Sequence, residues 1–156
     1  MRPTAGIDDF AKSWIADQLE RPISIYAKAS VIPIVHLDKI IACAAFTNFE
    51  EAPFGNIVQA HLAVLPEYHK KIWCRKDTLG LFAAYPFIEL GCTRVWVQTA
   101  KNNYPARNLA LKLGFKFEGS ARRGWDGKHP AMIYSMLYDE CKYLKYYIEI
   151  IDERAA

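Results

Sequence analysis

The chain has 156 residues, a formal net charge of +3 and 52% hydrophobic residues. That is room for one globular domain across residues 1–156, able to bury about 70% of its unfolded surface without disulfide or metal staples. The charge is too small to argue for a nucleic-acid partner, and no apolar run approaches the ~20 residues of a membrane helix.

In chain order, Ile7, Phe10, Ala11, Trp14, Ile15 and Leu19 fall at helical intervals, with Asp8 and Asp9 in the first turn, and predict a helix over about 7–20. Residues 30–37 and 40–49 read as strands joined by Asp38-Lys39 as a two-residue turn. Pro33 makes the first of them an edge strand or a bulged one. Glu50–Gly55 reads as a loop and 56–65 as a third strand ended by Pro66. An apolar helix is expected over about 77–90, bent by Pro86 and closed by Gly91. Residues 93–98 form a strand. Asn103 then caps a helix that begins near Pro105 and stops at Gly114, a residue suited to a left-handed cap. Residues 115–121 and 131–138 are strands around the turn signal Asp126-Gly127, and Tyr143, Tyr146, Tyr147 and Ile150 predict a C-terminal helix over 142–151, packed on the domain or on a second copy. The four cysteines, Cys43, Cys74, Cys92 and Cys141, are scattered, without metal-ligand spacing, and read as buried or free thiols in a reducing compartment. With no long apolar leader, a soluble cytoplasmic protein is the default expectation.

The run N-x-x-A-x-N-L-A-L-K-L-G-F-K-F-E-G, Asn103 to Gly119, resembles the C-terminal motif of the GNAT superfamily of acyl-CoA-dependent N-acyltransferases. The likeness continues upstream through Val64-x-Pro66-Glu67-Tyr68 and Tyr85-Pro-Phe87-x-x-Leu90-Gly91-x-x-Arg94-Val95, and so covers about 56–140. The Glu118-Gly119 pair followed by Arg122 is most similar to the branch of ribosomal-protein and small-amine acetyltransferases. The resemblance implies an α/β (α+β) fold: a mixed, mostly antiparallel sheet flanked by helices, with one splayed parallel strand pair. It implies acetyl-CoA or another acyl-CoA as cosubstrate and no metal.

By the same resemblance, acyl-CoA lies between strands 56–65 and 93–98, with main-chain groups near Val64 and Leu65 serving its pantetheine arm. Its pyrophosphate rests where the helix after residue 76 begins, a place where unpaired N–H groups and a positive dipole end attract any anion. Lys70, Lys71, Trp73, Cys74, Arg75 and Lys76 fall there. The family pattern has small residues at the positions of Trp73 and Arg75, so the indole either turns inward as an anchor or marks a loop that has lost the cofactor. Asn103 has a second role implied, a hydrogen bond to pantetheine, and Asn108 lies nearby. The family's tyrosine, seven residues after Asn103, is Ala110 here, which leaves the general acid unassigned. Gln59, His61 and Ala63 share one strand face by alternation, and His61 is a candidate base or a buried structural histidine; His36, Glu50 and Glu51 stand behind it. Arg122, Arg123, Trp125, Lys128 and His129 gather at the last hairpin, either facing the acceptor or forming a solvated turn. The expected activity is acyl transfer to a small-molecule or peptide amine. A nucleic-acid amine as acceptor, and an inactive GNAT-shaped binding protein, are the alternatives.

Overall fold

The structure is a computed structural model that describes residues 5–68 and 72–155; Lys70 and Lys71 lie outside the described residues. The first helix, α1 (Ala5–Gln18), buries Ala11, Ile15 and Ala16, while Ile7 and Phe10, expected on its apolar face, are exposed. It ends where Glu20 takes a left-handed φ of 52°, turning the chain so that Arg21 can donate its N–H back to the Ala16 carbonyl.

Strands β1 (Ser30–His36), β2 (Lys39–Glu50), β3 (Asn56–Val64), β4 (Cys92–Ala100), β5 (Lys116–Ala121) and β6 (Ala131–Leu137) form one sheet in the order β1-β2-β3-β4-β6-β5. Every neighbouring pair is antiparallel except β3 and β4. The sheet is therefore mixed and mostly antiparallel, as the resemblance implied. Pro33 does lie on an edge strand, and the register slips just after it, between Ile34 and Val35. The first hairpin turns one residue earlier than its sequence suggests. His36 pairs with Lys39, which leaves Leu37 and Asp38 at the turn with φ of 49° and 60°. Both central residues are left-handed, the geometry that matches strand twist, and Leu37 tolerates it with its side chain 80% exposed.

Small residues along β2 let helices approach both faces. Cys43 and Ala45 face α1 and Tyr26, whereas Ala44 and Phe46 face the other layer. That layer is made by α2 (Lys76–Ala84), α3 (Tyr104–Leu113) and α4 (Leu144–Ala155), the last packed along α2. The expected single helix over 77–90 is instead α2 followed by a π-helical turn, Tyr85–Glu89. Pro86 has no N–H to offer the preceding turn, and the ladder widens so that Leu90 donates to the Tyr85 carbonyl at 3.0 Å. On α3, the Asn103 side chain accepts from the Ala106 N–H at 3.2 Å, and Gly114 closes the helix with φ 98°, as expected.

The start of β3 is clamped to β4. Asn56 donates its N–H to the Gly91 carbonyl (3.3 Å) and its side-chain amide to the Leu90 carbonyl (2.7 Å). Gly55, just before it, has φ 140°, and a Cβ there would lie 2.0 Å from the Thr93 methyl carbon. Gly55→Ala is therefore expected to cost about 2–4 kcal/mol from backbone strain plus overlap. Gly119→Ala, with φ 151° and open space around it, should carry the strain alone. Urea midpoints of the two variants check the difference.

Candidate active site between the parted strands

β3 and β4 pair only from Asn56 opposite Cys92 to Gln59 opposite Trp96. Beyond that point each strand continues, β3 held by β2 as far as Val64 and β4 held by β6 as far as Ala100. The gap between them opens into a cavity of about 360 Å³. Its lining comes from both faces of the sheet. Ala60 and Leu62 of β3, Phe82 of α2 and Ala110 of α3 lie on one side, while His61, Tyr26 and Arg21 lie on the other. The cavity thus passes through the sheet at the splay.

His61 sits at the α1 side of this passage. Thr47 Oγ1 is 2.7 Å from its Nε2, and Tyr26 Oη is 3.3 Å from its Nδ1, the two rings meeting edge to face. One ring nitrogen donates and the other accepts, and both hydroxyls can play either part. Burial, reinforced by the Arg21 guanidinium, lowers the His61 pKa to about 4. Burial also pushes Tyr26 up to about 12, against the opposing pull of Arg21. At pH 7 the imidazole is neutral and the phenol protonated.

The other expected residues divide. Trp73 has turned inward, is 1% exposed and forms part of the cavity wall, leaving the space open rather than filling it. Asn103 also lines the cavity, whereas Asn108 is exposed and outside it. Leu65 gives its N–H to the Ile41 carbonyl at 2.9 Å, so that donor is used within the sheet and cannot serve a ligand. Val64, whose main-chain groups alternation turns to the opposite edge, lies outside the cavity lining. Cys74, Arg75 and Lys76 are exposed at the start of α2, beside a groove that they share with Asp77, Glu149, Glu153 and Arg154. Arg75 lies 3.6 Å from Asp77, and Lys76 sits over the Tyr146 ring. This stretch is mixed in charge, not the uniformly basic surface its own residues suggest, because α4 brings acids to it. Of the hairpin cluster, Trp125 reaches the cavity; His129 is tied to Asp126, and Arg122, Arg123 and Lys128 are exposed. His36 packs against Tyr68, away from the cavity, and Glu50 and Glu51 are exposed and outside it.

Tyr26, Thr47, Arg21 and Thr99 were not anticipated from sequence. Thr99 Oγ1 is buried with no partner among the described residues, in a residue 6% exposed that lines the cavity. The only sequence signal was its place where the apolar run of residues 95–97 turns polar. Tyr26 and Arg21 come from an irregular segment without periodicity.

No protein-family model and no curated sequence matches this chain. Solved structures do, and they show its fold to be that of the GNAT acetyltransferases. A chimera of the spermidine N-acetyltransferase SpeG from Vibrio cholerae and hSSAT matches 91% of this chain and 96% of its own, with TM-score 0.66 and 16% identity. A GNAT-family acetyltransferase from Bacillus anthracis matches with TM-score 0.63 and 14% identity over 89% of this chain and 94% of its own. Ribosomal-protein-S5-alanine acetyltransferase from Vibrio fischeri matches at TM-score 0.59 and 18% identity over 73% of this chain. That match spans 64% of the enzyme's length, less than two thirds of it. Among the described residues no helix is long and apolar enough to cross a membrane.

Two outcomes follow from the site itself. The folded His61 binds its proton only near pH 4, the unfolded chain near 6.5. Between these values the unfolded state holds more protons, so stability should fall as pH drops from about 6.5 to 4. His61→Gln should remove that part of the slope in urea titrations at stepped pH. Thr99→Val replaces an unpartnered buried hydroxyl by a methyl of the same shape and should leave the ligand-free protein unchanged or more stable by about 1 kcal/mol, read by the same titration.

Proposed function

We propose that this chain is an acyl-CoA-dependent N-acyltransferase that moves an acetyl or other short acyl group to a primary amine by direct attack. The observation that carries this reading is the cavity through the sheet, apolar on the α2–α3 side and bearing a neutral histidine on the α1 side. Its lining fits a pantetheine arm: apolar walls, Asn103 at the start of α3, and a buried Thr99 hydroxyl awaiting a partner. Trp73, Cys74, Arg75 and Lys76 would surround the pyrophosphate at the first N–H groups of α2, where Arg75 provides no side-chain cap and Asp77 Oδ1 accepts from the Thr78 N–H at 3.0 Å.

Acyl-CoA would supply a thioester whose carbonyl carbon bonds to the amine nitrogen as the C–S bond breaks and the thiol is released. The chain's own part is to remove a proton from the amine and keep water out. Both His61 nitrogens already face hydroxyls, so the proton passes through one of them. Tyr26 lines the cavity and Thr47 does not. Tyr26 Oη therefore takes the amine proton as it hands its own to His61 Nδ1, and Thr47 accepts from Nε2 and fixes the tautomer. A pKa near 4 makes His61 a weak base, so the relay contributes at the low end of general-base catalysis, about 10²-fold. Among the described residues no hydroxyl stands in for the tyrosine that the resemblance implies at Ala110. Tyr143 lines the same cavity but donates to the Leu113 carbonyl at 2.9 Å, and solvent can protonate a thiolate whose pKa is near ~8.5.

The mixed charge before α2 favours a second reading, a GNAT-shaped binding protein without turnover. Calorimetry with acetyl-CoA separates them: the transferase binds with Kd below millimolar, the binding protein does not. In a CoA-release assay, His61→Gln and Tyr26→Phe should each lower kcat about 10- to 100-fold with little change in KM for acetyl-CoA. Asn103→Ala should raise that KM beyond what its capping loss of about 1 kcal/mol explains. An unaltered kcat in both relay variants would exclude the relay.

A further inference from the structure

We infer that Arg21, braced on Trp125, is the acceptor-reading residue of this site, and that the acceptor is an amine carrying its own carboxylate, an amino acid rather than a polyamine. The inference rests on the transferase reading for its chemistry but on separate observations for its geometry. The Arg21 guanidinium carbon lies 4.2 Å from the centre of the Trp125 ring, and its Nη1 donates to the Trp125 carbonyl at 3.2 Å. Indole face and main-chain oxygen, both from the last hairpin, thus hold a side chain that follows α1. The half-buried guanidinium lines the α1-side mouth of the cavity with Tyr26 and His61.

What Arg21 lacks is an anion. A guanidinium offers five N–H donors in a planar fork. Among the described residues one hydrogen bond uses that fork, and no carboxylate lies within ion-pair distance of it. Glu20, its neighbour in sequence, is the one acidic residue among the described cavity lining. It is exposed at the rim of the lining and is not within ion-pair distance of Arg21. A half-buried cation held rigidly and left without a counter-charge is matched by an incoming carboxylate, which accepts two parallel N–H bonds from the fork. With the carboxylate on Arg21, the amine of the same small molecule falls toward the Tyr26–His61 pair, where its proton leaves. A polycation would meet the guanidinium's positive charge at the mouth, and repulsion across a partly desolvated gap disfavours it.

The test compares amino acids with their own carboxamides, neutral molecules of nearly the same shape, and with spermidine. Binding is followed without acetyl-CoA by tryptophan fluorescence, Trp125→Phe identifying the reporting ring; transfer is followed by CoA release. At least one amino acid should bind about tenfold or more tightly than its carboxamide and be acylated with a correspondingly lower KM. Arg21→Gln should erase that preference while leaving KM for acetyl-CoA in place. Arg21→Lys, which keeps the charge and loses the fork, should restore part of it. Equal binding of acid and amide, preference for spermidine, an equal loss for both in Arg21→Gln, or no binding of any amino acid overturns the assignment. Arg21-dependent amino-acid binding without CoA release would retire the transferase reading and keep the clamp. Acylation of amines with no preference for the carboxylate would do the reverse.

Discussion

Everything functional in this molecule depends on two neighbouring strands that stop pairing. β3 and β4 separate after Gln59 and Trp96, yet neither frays, because each is laddered along its outer edge by another strand. The gap is therefore a rigid feature of a paired sheet rather than a loose end. Main-chain groups on its inner edges face a cavity instead of each other, an arrangement that a continuous sheet never allows. Helices close both sides, so the opening becomes a passage with two chemically different mouths.

The difference between the mouths is one of dielectric and charge. On the α2–α3 side the walls are apolar, with a single unsatisfied hydroxyl at Thr99. On the α1 side burial holds His61 neutral and Tyr26 protonated, and Arg21 reinforces this at His61 while opposing it at Tyr26. The same low-dielectric surroundings that weaken His61 as a base strengthen any hydrogen bond or ion pair formed beside it.

Two departures from the GNAT pattern line this one cavity. By the resemblance, a small residue is expected at Trp73 and a tyrosine at Ala110, and both positions line the cavity. Bulk enters from the loop before α2 and leaves from α3, and the space survives.

The local elements were legible because their causes are local. Asn103 and Gly114 bracket α3 by hydrogen bonds and dihedral angles within a few residues, Pro33 marks an edge, and Pro86 marks where the helix ladder is interrupted, though not the widened turn it becomes. Alternation alone placed His61 on the face it occupies, and the motif from Asn103 to Gly119 carried the fold class. Tertiary structure alone decided what meets across the passage. Tyr26 and Thr47 flank His61 from sequence distances of 35 and 14 residues, and Trp125 meets Arg21 from 104 away. Glu149 and Glu153 dilute a charge run that looked purely basic because α4 folds back along α2. Even the fate of Leu65 turned on register, since a shift of one residue along β3 would have given its N–H to the gap instead of to Ile41. Periodicity and capping act over one or two turns of chain, whereas a binding site is made of contacts whose sequence separation carries no local signal.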